Sequence, residues 1–213
     1  MTLSRRKFMK LTGGAFACGM LSWKAGLRSA WAFNQSPTTI PLFGTPLRGI
    51  GTIGVAAADP FVAPVTGVTH YTIAIDEFTD AGVVPTLGPT TLRGFNATRL
   101  LAGEKNRHLG GIIVGQKGVP IQITFKNRLG VNARHPLPVD RSIMGADLGD
   151  GRTCVHFHGG LVPWISDGGP HAWWDASGKR GPSFLNNAVL NPRAAANEAE
   201  FHYPLNQSAR FGW

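Results

Sequence analysis

The chain has 213 residues, 21 of them Lys or Arg and 12 Asp or Glu, for a formal charge of +9. Six of the basic residues (Arg5, Arg6, Lys7, Lys10, Lys24 and Arg28) fall within residues 1–32, which hold no acidic residue, so residues 33–213 carry 15 against 12 and sit near +3. The charge belongs mostly to the leader. No basic stripe with interleaved aromatics follows it, and a nucleic-acid partner loses its main support.

Ser4-Arg5-Arg6-Lys7-Phe8-Met9-Lys10, a modestly apolar run over residues 11–23, and then Ala30-Trp31-Ala32 form a recognisable sequence of parts. A basic start, a short apolar middle and a small-residue end make a cleavable export signal. The paired arginines followed by Phe8 resemble the twin-arginine type. Residues 1–32 are therefore expected to be removed on export, leaving the rest in the periplasm or outside the cell. The apolar run is too short and glycine-rich to cross a bilayer comfortably, so the mature chain is expected to have no membrane span. Cys18 leaves with the signal, and Cys154 is then alone, which excludes an intramolecular disulfide.

Beyond the leader the composition is that of a loop-rich β protein. The chain has 28 glycines and 15 prolines, many placed as turn punctuation. Residues 33–68 read as extended and irregular. The first strand is expected at 69–79, with Tyr71, Ile73 and Ile75 on one face and Thr72, Ala74 and Asp76 on the other. Further strands are expected at 111–114 and at 119–129. In the latter, Val119, Ile121, Ile123 and Phe125 alternate with Gln122, Thr124 and Lys126, the pattern of a half-buried strand. Residues 152–158 and 199–203 read as two more, with Ala199, Phe201 and Tyr203 turned one way. No segment sustains a helical period, and residues 194–199 make at most one helical turn. Short strands and many turns at this length predict a β-sandwich with long connections.

Within one of these runs, Thr153-Cys154-Val155-His156-Phe157-His158-Gly159-Gly160, two histidines stand two apart. On a strand His156 and His158 share a face, while Val155 and Phe157 share the other. Two imidazoles so placed can hold one metal together, or one metal each of a close-set cluster. Imidazole suits copper, zinc, iron and nickel, so the pair alone does not choose the metal. A bare His-x-His is also compatible with a solvated strand face.

Further motifs follow in order: Ser166-Asp167-Gly168, then Tyr203-Pro204-Leu205-Asn206-Gln207-Ser208-Ala209-Arg210-Phe211-Gly212-Trp213. With the histidine run they resemble the first domain of a multicopper oxidase, nearest the bilirubin-oxidase and spore-coat-laccase branch. Supporting pieces are Pro85, Thr90-Thr91-Leu92-Arg93-Gly94-Phe95-Asn96, Phe125-Lys126-Asn127-Arg128-Leu129 and Pro136-Leu137-Pro138-Val139-Asp140. The resemblance covers residues 69–213. It implies an all-β, cupredoxin-like Greek-key β-sandwich with long loops, preceded by the signal peptide. Residues 69–213 would be a first cupredoxin (plastocyanin-like) domain, incomplete at its C-terminus, after the extended segment 33–68.

The resemblance also implies a chemistry. Such oxidases couple one-electron oxidation of a reducing substrate to the reduction of dioxygen to water. By the matching motif His156 would be a type 2 copper ligand and His158 a type 3 ligand of the trinuclear site. Asp167 would be the catalytic carboxylate that delivers protons or steadies bound water. A carboxylate beside metal-bound water is a plausible relay because the metal acidifies that water. Asp167-Gly168-Gly169 also satisfies a plain Asp-Gly turn. Only one His-x-His pair is present and type 1 copper ligands are absent from this chain. The expected partners are therefore the remaining cupredoxin domains of a longer protein, with dioxygen and a reducing substrate. The 213 residues alone are expected to be inactive.

The alternative is a copper-free cupredoxin-fold scaffold of the same superfamily, against which the retained His156, His158 and Asp167 argue. A zinc hydrolase barrel would need alternating helices and strands, which the pattern lacks. A small blue-copper carrier would need a Cys-His-Met set near the C-terminus. Cys154 shares the histidines' face, but the family has serine- or threonine-like residues there, so a buried, quiet thiol is expected. His202 reads as part of a solvated strand face and His171 as packing. His70, His108 and His135 have no partner at ligand spacing. Trp164, Trp173 and Trp174 are expected to wall the site or an interdomain surface, or to fill the core.

Overall fold

The computed structural model describes residues 44, 55–59, 67–103, 105–106, 108, 110–184 and 194–208. The expected leader 1–32, most of the segment 33–68 and the end of the last motif, 209–213, lie outside these residues. Contacts divide the chain into Met1–Leu42 and Phe43–Trp213, and every described residue belongs to the second unit.

Four strands form one mixed sheet in the order β2-β1-β3-β4. They are β1 (Thr69–Asp80), β2 (Thr90–Ala97), β3 (Ile121–Asn127) and β4 (Glu198–Tyr203). β1 pairs antiparallel with β2 and parallel with β3, and β3 pairs antiparallel with β4. The helical elements among the described residues are 3-10 turns at Pro85–Leu87, Ala146–Leu148, Trp164–Ser166 and Pro182–Phe184. No helix among them is long and apolar enough to cross a membrane. The described residues are all-β with long loops, consistent with the expected cupredoxin-like fold.

The alternation read from the sequence sets the core. Register places Tyr71, Ile123 and Phe201 in one row and Ile73, Phe125 and Ala199 in the next, with Ile121 beside Tyr203. All of these are buried, because side chains two apart on paired strands line one face. Loops close over that face with Val155, Ala172, Trp174 and Phe184. Phe201 is the hub, with ring centroids 5.2 Å from Phe125, 6.0 Å from Trp174 and 6.1 Å from Phe184. The other face is polar. Lys126 pairs with Glu198 at 2.6 Å. His70 lies between Asp59, at 2.5 Å from Nδ1, and the Thr124 hydroxyl, at 2.8 Å from Nε2. Thr72 donates to the same Asp59 carboxylate, so residues 55–59 are stapled across β1 and β3.

Several expected elements differ. β2 was not anticipated as a strand. It is a sheet edge on which Leu92, Arg93 and Gly94 are all half-buried, so no clean period marks it. Of residues 111–114, only Ile112 pairs, in an isolated parallel bridge to Val55. Val119 is exposed: the turn Gln116–Val119, with Gly118 at φ +79°, delays the start of β3 to Ile121. Residues 152–158 are not a strand either. Thr153 alone bridges, to Trp174, and beyond it the backbone of Gly168 takes the place a ladder partner would occupy beside the Val155 carbonyl.

Candidate functional site

The approach to the two histidines begins at the end of β3. Asn127 is fully buried there, and its Nδ2 donates to the carbonyls of Gly151 at 2.8 Å and Trp174 at 3.2 Å and to the Thr153 hydroxyl at 3.2 Å. Its Oδ1 accepts the Leu129 amide at 3.0 Å. Thr153 and Trp174 exchange backbone hydrogen bonds of 2.9 and 3.0 Å. One side chain thus fixes where the next loop leaves the core.

From that point the alternation expected of a strand survives without a ladder. Val155 is buried, and Phe157 lies against Tyr203 with ring centroids 4.7 Å apart. His156 and His158 are exposed on the opposite side. Their rings meet edge to face at 4.9 Å. A turn follows at once: the Gly160 amide donates to the Phe157 carbonyl at 3.1 Å, and Gly159 has φ +70°. His158 therefore stands at the bend rather than on a flat face.

A second turn comes to meet His156. Residues Trp164–Ser166 form a 3-10 turn, and Ser166, only 1% exposed, accepts the His202 amide of β4 on its Oγ at 2.9 Å. Gly168 has φ +76°, and a Cβ on it would collide with the Val155 carbonyl. Only glycine permits that approach without strain. It brings the Asp167 carbonyl to 2.7 Å from His156 Nδ1, with a carboxylate oxygen of the same residue at 3.2 Å. A carbonyl oxygen can only accept, so in the neutral imidazole Nδ1 carries the proton and Nε2 is left as the electron-pair donor. His156 and Asp167 are 51% and 43% exposed, so solvent screens their charge interaction and the geometry matters more.

Behind the histidines lies an apolar cleft of about 210 Å³, whose lining includes His156, Phe157, Ile73, Phe95, Phe125 and Tyr203. Burial raises the Tyr203 phenol above its ordinary range, and the nearby Asp167 charge adds to the effect. Among the described residues, no three His, Cys, Asp or Glu side chains converge as a metal site. His156 is in contact with both other residues singled out from the sequence, with the His158 ring centroid 4.9 Å from its own and an Asp167 carboxylate oxygen 3.2 Å from its Nδ1. Cys154 is exposed rather than buried, because its thiol rests on the Gly169 peptide, 3.2 Å from O and 3.3 Å from N.

The other candidates have other partners. His108 pairs with Asp80 at 2.9 Å, and His70 with Asp59 as above. The His171 carbonyl accepts the Ser183 amide at 3.1 Å. Trp174 is core, Trp173 lies under the Arg152 guanidinium at 5.0 Å, and Trp164 is 71% exposed two positions before Ser166. Sequence reasoning missed Asn127, Ser166 and Tyr203 as parts of this site. Gly168 was legible only as a turn residue.

Three curated proteins match the chain. A protein of Oryza sativa subsp. japonica named Multicopper oxidase LPR1 homolog 1 is 39% identical over 88 residues, covering 40% of this chain and 15% of its own length. A laccase of Bacillus stratosphericus is 29% identical over 147 residues, 68% of this chain and 24% of its own. A laccase of Bacillus subtilis (strain 168) is 27% identical over 149 residues, 68% of this chain and 25% of its own. The chain is similar to proteins named multicopper oxidase and laccase. No protein-family model matches it. The chain spans a quarter or less of the length of these proteins.

Proposed function

We propose that the chain contributes His156 and His158 as two imidazole ligands to the copper site of a multicopper oxidase, the other ligands coming from outside the described residues. The observation that carries the reading is the pair itself: two solvent-facing imidazoles with centroids 4.9 Å apart, one oriented by a carbonyl on its far nitrogen. Histidine ligands to metals are characteristically held this way. The similarity to proteins named multicopper oxidase and laccase supports copper as the metal. The donor set fits, since imidazole is a good copper ligand. Two donors do not close a site, so the fit is to part of one.

When bound, copper would supply one-electron chemistry between a reducing substrate and dioxygen. The chain's own residues have narrower tasks. His156 presents Nε2 with its ring held by the Asp167 carbonyl, and His158 presents its ring from the adjoining bend. The resemblance assigns the first to the type 2 position and the second to type 3. Asp167, with its carboxylate half exposed beside His156, takes up and releases a proton from solvent. Phe157, Phe125 and Tyr203 keep the inner side of the site apolar. Residues 1–32 direct export, which places the site in the periplasm or outside the cell.

Copper content of the full-length protein tests the reading. His156→Ala and His158→Ala should each lower bound copper and abolish dioxygen uptake. Unchanged copper in both variants would remove the pair from the site. A full-length protein that folds and never takes up copper would favour the scaffold reading.

A further inference from the structure

We infer that the Ser166–Gly168 turn is a main-chain clamp that selects the tautomer of His156, and that Ser166 and Gly168 are its positioning residues. The inference rests on the proposed ligand role of His156 but is readable without metal. A neutral histidine side chain without a partner favours the proton on Nε2, which would leave Nδ1 as the donor. In this structure Nδ1 faces the Asp167 carbonyl at 2.7 Å, and that contact reverses the preference. His158 has no such partner among the described residues and keeps the ordinary choice.

What makes the clamp stiff is its anchorage at both ends. Ser166 is buried and its Oγ holds the His202 amide on the outer edge of β4 at 2.9 Å. Two residues on, Gly168 sits at φ +76° against the Val155 carbonyl, where any Cβ would collide. Val155 is itself buried in the core. Between these anchors the Asp167 carbonyl has little freedom to leave His156. The Asp167 carboxylate, 3.2 Å from the same nitrogen, is the weaker of its two contacts by length. The main chain does the orienting.

The test is the histidine tautomer state of the metal-free full chain, read from two-bond proton–nitrogen correlations at a pH where imidazoles are neutral. His156 should show a single Nδ1–H species and His158 mainly Nε2–H. A wild-type His156 that is mainly Nε2–H overturns the inference. Asp167→Ala keeps the carbonyl and should leave the His156 pattern unchanged; a switch to Nε2–H would show that the side chain, not the main chain, is the clamp. Gly168→Ala and Ser166→Ala should each shift His156 toward Nε2–H. If Gly168→Ala does not fold, Ser166→Ala and the wild-type spectrum still decide. In the full-length protein the same two variants should weaken copper affinity roughly 10–100-fold, the usual effect of losing a ligand's orienting contact. If His156→Ala leaves copper content unchanged while the Nδ1–H tautomer is found, the ligand reading fails and the clamp stands.

Discussion

Asn127 reaches across the core to Trp174, its Nδ2 donating to the tryptophan carbonyl at 3.2 Å. That carbonyl already accepts the Thr153 amide at 2.9 Å, so the sheet, the covering loop and the stem of the histidine segment meet at one oxygen. Asn127→Leu has a similar volume and no polar atoms. It would strand the Gly151 carbonyl and the Leu129 amide, at a cost of about 1–3 kcal/mol for each buried group left unpaired. Urea denaturation should report a loss of about 2–6 kcal/mol for the two groups together. The His156 resonances should broaden as well, because the stem of their segment is loosened.

Packing predicts a sharper contrast. Phe201 is 0% exposed and packs against four aromatic rings, whereas Trp164 is 71% exposed. Phe201→Ala should destabilise the fold by about 3–5 kcal/mol, the usual cost of emptying a core aromatic site. Trp164→Ala should change stability by no more than about 0.5 kcal/mol. Thermal and urea melts of the two variants side by side would check both.

The Tyr203 phenol is raised above its ordinary range, first by burial and then by the charge of Asp167. It should not ionise at the ordinary value of about 10 while the protein is folded. A folded pKa above the unfolded one has a definite sign. The stabilisation is complete below about pH 10 and is lost as pH climbs from there toward the folded value. Ultraviolet titration should show Tyr203 resisting ionisation until unfolding. Asp167→Asn removes the negative neighbour and should bring the midpoint down.

Export gives a prediction that depends on none of the above. The Ser4–Lys10 motif and Ala30-Trp31-Ala32 predict a mature N-terminus at Phe33. Mass spectrometry of exported protein should find that terminus, and Arg5→Lys with Arg6→Lys should reduce the exported fraction. Exported chains that retain Met1 would contradict it.

Legibility in the sequence followed the strength of the physical constraint. β1, β3 and β4 were readable because one face of each is buried and the other wet, so polarity alternates residue by residue. β2 was hidden because an edge strand with both faces half-wet imposes no alternation. Residues 152–158 alternate for a different reason. Val155 and Phe157 plug the core from a loop while the histidines face out, which mimics a strand without backbone pairing. The pairing of His156 with His158 was therefore foreseeable, but the contacts that orient them were not. Ser166 and Asn127 act through backbone atoms of residues 36 and 47 positions away, and no local pattern reports such partners.

The parallel pairing at the centre of the sheet carries a consequence for how the molecule is made. β1 can find β2 across a short connection, but Thr69 must find Ile121 and Ile121 must find Tyr203 before the aromatic core can close. Each of those meetings closes a long stretch of chain, and the entropy of closure is lost before any burial compensates for it. Chains dominated by such distant pairings assemble in milliseconds to seconds rather than microseconds. Until those pairings form, Tyr71, Ile73 and Ile75 lack the β3 partners beside which they are buried. A protein of this topology gains from completing assembly before it is translocated, and the twin-arginine-like signal expected at Ser4–Lys10 would address a route that accepts folded cargo.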